Sequence, residues 1–309
     1  MVRPTDRLIQ TREQRRPQGE STPLAPTVAL CSGKGGTGKT FLTTNLATTA
    51  VLEERRVLVV DCDFGLADAH LMLGVTPKVT WPSVADGRTS PNDVITETPH
   101  GVDLVAGGYG IDEANRIQHG GLDWLRSAIA VWRTQYDLVF LDVGAGLTST
   151  TAATLAIADA IVVVTLPELA AMTDAYAVVK CTSRRMPQTP TRLAVNRVPD
   201  LESGYTTWRK IDSVARRFLG HGIEHLGSVA EAREAGRRRI DELPFTLRQP
   251  ETATALDIAV LFDELQSFAE SIRRPITAAA RTATESQPRS GAMPSGANAE
   301  KTDPAPGGS

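Results

Sequence analysis

The chain is poor in cysteine, in aromatic residues, in net charge and in long apolar runs. Its 309 residues include three cysteines, Cys31, Cys62 and Cys181. No two of them form a Cys-x-x-Cys pair, and no disulfide framework of a secreted protein is present. Cys31 and Cys62 sit in apolar, strand-like runs and read as core thiols. Aromatic residues make up 5% of the chain against a hydrophobic content of 41%, so the expected core is aliphatic. The formal net charge is only -3. That argues against a general nucleic-acid binder while leaving room for a local basic patch. No run approaches the ~20 apolar residues that a membrane-spanning helix needs, and the polar N-terminus lacks a signal-peptide pattern. The expectation is a cytoplasmic protein, at most peripheral at the inner face of the cell membrane.

Large apolar residues are also scarce at both ends. Residues 274–309 are dominated by Ala, Pro, Ser, Thr and Gly and read as a disordered tail. Residues 1–26, rich in arginine, read as a flexible arm. Between them, residues 27–273 suffice for one α/β domain. Strand-like runs at 27–32, 56–61, 102–106, 137–142, 159–165, 191–196 and 225–229 alternate with helix-like runs at 39–54, 67–73, 121–134, 148–157, 169–182, 207–219 and 254–273. Val57-Leu58-Val59-Val60, Leu138-Val139-Phe140-Leu141 and Ile161-Val162-Val163-Val164 are apolar throughout, the pattern of strands buried on both faces. The predicted fold is a mostly parallel sheet flanked by helices.

What is present is concentrated chemistry. Gly33-Lys34-Gly35-Gly36-Thr37-Gly38-Lys39-Thr40 follows the apolar run Val28-Ala29-Leu30-Cys31 and precedes a helix-like segment. This is a phosphate-binding loop in its strand–loop–helix context. Glycines let successive backbone N–H groups face a phosphate, and the helix N-terminus adds its dipole. Lys39 is expected at the β and γ phosphates and the Thr40 hydroxyl on Mg²⁺. Lys34 is extra. Either it crosses an interface to neutralise a partner subunit's phosphates, or it is a solvated surface lysine.

Two acidic strand ends follow the loop, Asp61-Cys62-Asp63 and Asp142. Residues two apart on a strand share a face, and carboxyl ends of strands form the crevice of a doubly wound sheet. Asp61 and Asp142 are candidates for the magnesium side. Asp63 is a candidate for orienting the attacking water.

These residues carry a family resemblance. The phosphate loop resembles the deviant Walker A motif of the MinD/ParA ATPases, and Asn45-Leu46-Ala47 continues it. Asp61 to Asp68 resembles the family's switch I, and Tyr136 to Asp142 its Walker B strand. Within that group, Asp142-Val143-Gly144-Ala145-Gly146-Leu147, Pro167 to Ala177 and Asn196-Arg197-Val198 are similar to the flagellar-number regulators known as FlhG, FleN or YlxH. The resemblance implies a slow, partner-regulated ATPase that binds ATP or ADP with Mg²⁺ and dimerises with ATP to control flagellar number or placement. It implies that Lys34 reaches across the dimer, Asp63 orients water, Asn196 reads the adenine edge and Arg197 flanks the base. It also implies a flagellar GTPase (FlhF) and a flagellar transcription activator as partners, with peripheral membrane contact.

The chain departs from the pattern in three places. Asp68 stands where the superfamily commonly has Asn. Asp6 to Arg12 keeps only the Asp and the Arg of the regulators' GTPase-activating segment. The last helix-like run, with Leu256, Val260, Phe262, Leu265, Phe268 and Ile272 on one period, lacks the lysines that favour anionic lipid. It reads as a helix packed on the domain, with a membrane anchor as the alternative. A ParA-like carrier that uses Arg216-Arg217 and Arg237-Arg238-Arg239 on DNA is the competing function, as is a module that sequesters a transcription activator.

Overall fold

The computed structural model describes residues 24–64, 66–84, 89–108, 120–232 and 243–272. The arm as far as residue 23, the C-terminal tail and the run Arg237-Arg238-Arg239 lie outside the described residues.

Eight strands form one sheet. They are β1 (Thr27–Cys31), β2 (Val57–Cys62), β3 (Ile95–Glu97), β4 (Asp103–Val105), β5 (Leu138–Val143), β6 (Ala160–Thr165), β7 (Thr191–Val198) and β8 (Glu224–Ala230). Their order is β3-β4-β2-β5-β1-β6-β7-β8. Every pairing is parallel except β3 against β4. Every residue of β1, β2, β5 and β6 is buried. Central parallel strands covered on both faces bury both sets of side chains, which is why they carry continuous aliphatic sequence.

The helices are α1 (Lys39–Leu52), α2 (Leu122–Trp132), α3 (Ser149–Leu155), α4 (Leu169–Arg185), α5 (Leu201–Leu219) and α6 (Ala253–Ser271), with single turns of helix at Ala69–Met72, Trp81–Val84, Pro91–Val94 and Phe245–Arg248. Two aliphatic clusters, one on each sheet face, make the core. One gathers Leu58, Val60, Leu141 and Val163, the other Val57, Val59, Phe140 and Val162. The alternation along β2 shows how successive side chains supply opposite layers.

Helix α1 runs beneath α6 and is buried along most of its length. Its threonines are buried. The Oγ1 atoms of Thr43, Thr44, Thr48 and Thr49 each donate to the carbonyl four residues back, at 2.8–3.0 Å. Such local bonds let a polar-rich helix stay inside. Asn45 ties α1 to the 245–248 turn, because its Oδ1 accepts from Thr246 N at 2.9 Å.

Helix α6 resolves the last segment. Ile258, Leu261, Phe262, Leu265, Phe268 and Ala269 are buried against α1 and β8. Asp257 accepts from Ala230 N at 2.8 Å, which pins the helix to the β8 end. Most of the apolar stripe is thus the domain's own cover, while Leu256 and Val260 of the same run face outward. No helix among the described residues is long and apolar enough to cross a membrane.

Several elements differ from expectation, among them the run 67–73, which shortens to the single turn Ala69–Met72. Helix α5 begins at Leu201 rather than 207, because Asp200 caps it by accepting from Ser203 N at 2.7 Å. The antiparallel edge strand β3 was not anticipated, since Ile95-Thr96-Glu97 is short and only partly buried.

Candidate nucleotide site

The ends of β1, β2 and β5 converge. The loop after β1 enters α1 through Gly38, whose φ of 82° is left-handed. No side chain caps α1, so its first N–H groups face the loop, the arrangement that suits an anion. A Cβ at Gly38 would collide with the Asn196 amide, and one at Gly33 with the backbone of Asp174. The loop is therefore packed from two sides, by the end of β7 and by α4. Asp174 belongs to the Thr173-Asp174-Ala175-Tyr176 string, whose role here is to shape the loop's floor.

Lys39 is buried, with its Nζ 2.8 Å from Asp142 Oδ1 and 3.8 Å from Asp63 Oδ2. Asp142 Oδ1 also lies 3.0 Å from Thr43 Oγ1, sharing that hydroxyl's single proton with Lys39 O. Burial works against the lysine's charge, but Asp142, Asp63 and Asp61 more than offset it and raise its pKa. Asp142 is fully buried, and its other oxygen, Oδ2, has no hydrogen-bond donor.

Asp61 organises the switch segment. Its Oδ1 accepts from Asp63 N at 3.0 Å and its Oδ2 from Ala69 N at 3.1 Å. Trp81 Nε1 donates to its carbonyl at 3.0 Å. Burial, then the charge of Asp142, pushes the Asp61 carboxyl up to about 8 against those amide bonds. Asp63 is less buried. Burial raises its pKa first, Asp142 and Asp68 add to the rise, and Lys39 opposes it. Four aromatic residues run in a row from this segment: Phe64 meets Trp81 edge-on at 5.5 Å, Trp81 stacks on Trp124 at 6.0 Å, and Trp124 meets Trp132 at 6.2 Å.

One oxygen each from Asp61, Asp68 and Asp142 can be chosen so that all lie within 4.8 Å of one another. All are hard donors suited to Mg²⁺. With the orphaned Asp142 Oδ2 and the nearby Thr40 hydroxyl, the residues fit a magnesium ion.

Asn196 is buried, and its Nδ2 donates to Thr37 O at 2.8 Å. Arg197 beside it is exposed with φ of 53°. A non-glycine residue held in that region is a conformation that tends to collect at binding sites. Lys34 Nζ pairs with Glu168 Oε2 of its own chain at 3.0 Å. Sequence reasoning missed Glu168, Thr43 and Trp81. Only the position of Glu168 at the start of α4, just past β6, offered a signal for it.

Residues 28–245 match the family described as CobQ/CobB/MinD/ParA nucleotide binding domain. The chain belongs to this family. It is a P-loop ATPase domain of the MinD/ParA type. It is 32% identical over 205 residues to the antiactivator FleN of Pseudomonas aeruginosa, covering 65% of this chain and 72% of that one. It is 30% identical over 204 residues to the flagellum site-determining protein YlxH of Helicobacter pylori, covering 65% and 68%. The fold matches the septum site-determining protein MinD of Pyrococcus horikoshii OT3, solved with Mg-ADP, at a TM-score of 0.68 and 22% identity over 81% of this chain and all of that one.

Proposed function

We propose that this MinD/ParA-type ATPase is an ATP-controlled dimer that regulates the number or placement of flagella. The observation that carries the reading is the nucleotide edge. Lys34 lies there on the surface, and Leu66, Leu147 and Leu169 are 80%, 42% and 79% exposed on the loops and helix start that follow β2, β5 and β6. An apolar rim around a phosphate site suits a second copy of the chain seated face to face. The name of the flagellum site-determining protein YlxH supports the flagellar role.

In this reading the backbone amides of residues 33–40 cradle the phosphates, and Lys39 exchanges its bond to Asp142 for them. Thr40, Asp61 and Asp142 hold the magnesium side, where the bound ion would supply charge neutralisation. Asp63 orients the attacking water toward the γ-phosphate, and Lys34 of the facing subunit adds positive charge. Catalysis is positioning and charge neutralisation, with no covalent intermediate. Hydrolysis to ADP and phosphate separates the subunits and ends the signal. Asn196 and Arg197 line the base side. A flagellar GTPase or transcription activator would read the dimer's outer surface.

Light scattering of wild type and Asp63→Ala with ATP or ADP tests this. Asp63→Ala should turn over ATP about 10²–10⁴-fold more slowly and persist as an ATP dimer. A monomer under both nucleotides would sink the reading. Binding to duplex DNA only with ATP, falling steeply with salt, would favour a ParA-like carrier instead.

A further inference from the structure

The fold brings Asp68 into the site. Asp61 holds both Asp63 N and Ala69 N, so the 63–69 segment closes back on the end of β2. Asp68 therefore lies beside Asp61 although it is seven residues away in sequence. The Thr40 side chain lies near enough to its carboxylate to favour the charged form, against the burial that disfavours it. The result is four carboxylates, Asp61, Asp63, Asp68 and Asp142, around a single ammonium, Lys39. Lys39 engages Asp142 Oδ1, while Asp142 Oδ2, fully buried, has no donor. Two features thus call for positive charge: an excess of carboxylates, and the fact that one of them, Asp142, keeps a buried oxygen without a donor.

We propose that Asp68 turns the magnesium side of the loop into a preformed divalent-cation site, shared with Thr40, Asp61 and Asp142, that loads before the nucleotide. The donor set is oxygen only, with no histidine or cysteine in it, which selects Mg²⁺ or Mn²⁺. Ligand oxygens on an ion with bonds of about 2.1 Å stand about 3.0 Å apart when adjacent and about 4.2 Å when opposite. The carboxylates here spread to 4.8 Å. An ion of this class keeps several of its waters, so some of these carboxylates reach it through water. The gain is order of assembly. A site with Asn at this position has one fewer charge to attract the cation by itself and relies more on the phosphates to bring it. Here the cation offsets the carboxylates that would otherwise repel an incoming triphosphate.

This inference deepens the proposed function and rests on the same loop. The test uses full-length, nucleotide-stripped protein and Mn²⁺ alone, followed by electron paramagnetic resonance. Wild type should bind one Mn²⁺ per chain without nucleotide, and Asp68→Asn, which keeps the side chain's size, should bind it at least tenfold more weakly. Melting in EDTA gives a second readout. Asp68→Asn should melt higher than wild type there, because a repelling charge is gone, and the order should narrow or reverse when Mn²⁺ is added. No binding by nucleotide-free wild type, or equal affinity in the two proteins, would overturn the proposal. A fluorescent ATP analogue with saturating Mg²⁺ separates the two readings. Normal analogue binding without Mn²⁺ binding removes only the preformed site. Absent analogue binding removes the ATP switch, while the Mn²⁺ titration still decides the cation site.

Discussion

Lys39 shows how much of the site's balance rests on one side chain. It is 6% exposed and faces Asp142, which has no exposure at all. Removing one partner of such a pair leaves a buried charge uncompensated, at a cost of about 3–5 kcal/mol. The neighbouring Asp61 sets the pH window. Its carboxyl is pushed from the ordinary 3.8 to about 8, by burial first and then by Asp142. A group that holds its proton more tightly when folded stabilises the fold fully at low pH. That contribution is lost as pH rises through the interval between its two values. In EDTA and without nucleotide, the protein should therefore lose stability from about pH 4 to about pH 8. Lys39→Met should steepen that loss, because the cation that opposes carboxylate repulsion is gone. Urea unfolding at several pH values measures both slopes. Parallel, flat profiles for wild type and variant would show that these carboxylates do not govern stability. Asp68 was legible in the sequence as a departure only, since its distance from Asp61 along the chain gives no sign that a hydrogen bond to Ala69 N folds the segment back.

Helix α6 separates, at the scale of an element, what the sequence leaves open. Its apolar residues recur on a helical period, and a membrane-seeking helix and a core-covering helix share that period. The structure distinguishes them by partner. Leu265 is fully buried, whereas Val260 is 63% exposed. Leu265→Ala should cost about 2–5 kcal/mol, and Val260→Glu should change stability by less than about 0.5 kcal/mol, both by chemical denaturation. Equal effects would mean that α6 is not docked as described. The strands were readable because central parallel strands are apolar end to end, and their observed limits fall within two residues of those expected. The start of α5 was not, because Gly204 reads as a helix breaker. It is tolerated there since a Cβ would strike Ser228 on β8, so the glycine serves close packing of helix on strand. The edge strand β3 lacked both length and apolar residues. The phosphate loop was legible because its residue types are dictated by backbone geometry, whereas the Lys34–Glu168 pair joins positions 134 residues apart.

For the whole molecule, the parallel sheet puts the phosphate loop, the acidic strand ends and the exposed leucines on one edge, and symmetry then amplifies what each residue does. In a two-fold dimer every rim side chain is buried twice. Covering one leucine is worth about 1.5–3 kcal/mol, so Leu169 would contribute roughly 3–6 kcal/mol to a face-to-face ATP dimer. Leu169 is 79% exposed in the single chain, so Leu169→Asp should leave the melting temperature and the monomer's ATP affinity nearly unchanged. The same substitution should weaken ATP-dependent dimerisation by more than about a hundredfold. Glu168, its neighbour, makes the contrasting case. Its pair with Lys34 is largely exposed, at 60% for the glutamate side chain, and such pairs contribute about 0.2–1 kcal/mol. Freeing Lys34 by Glu168→Ala should therefore strengthen the dimer by no more than about fivefold per subunit. Sedimentation equilibrium across a concentration series, with ATP and with ADP, measures both variants against wild type. A Leu169→Asp protein that dimerises as wild type does would move the interface away from this edge. A large gain from Glu168→Ala would make the cis pair, rather than the apolar rim, the element that decides when two subunits meet.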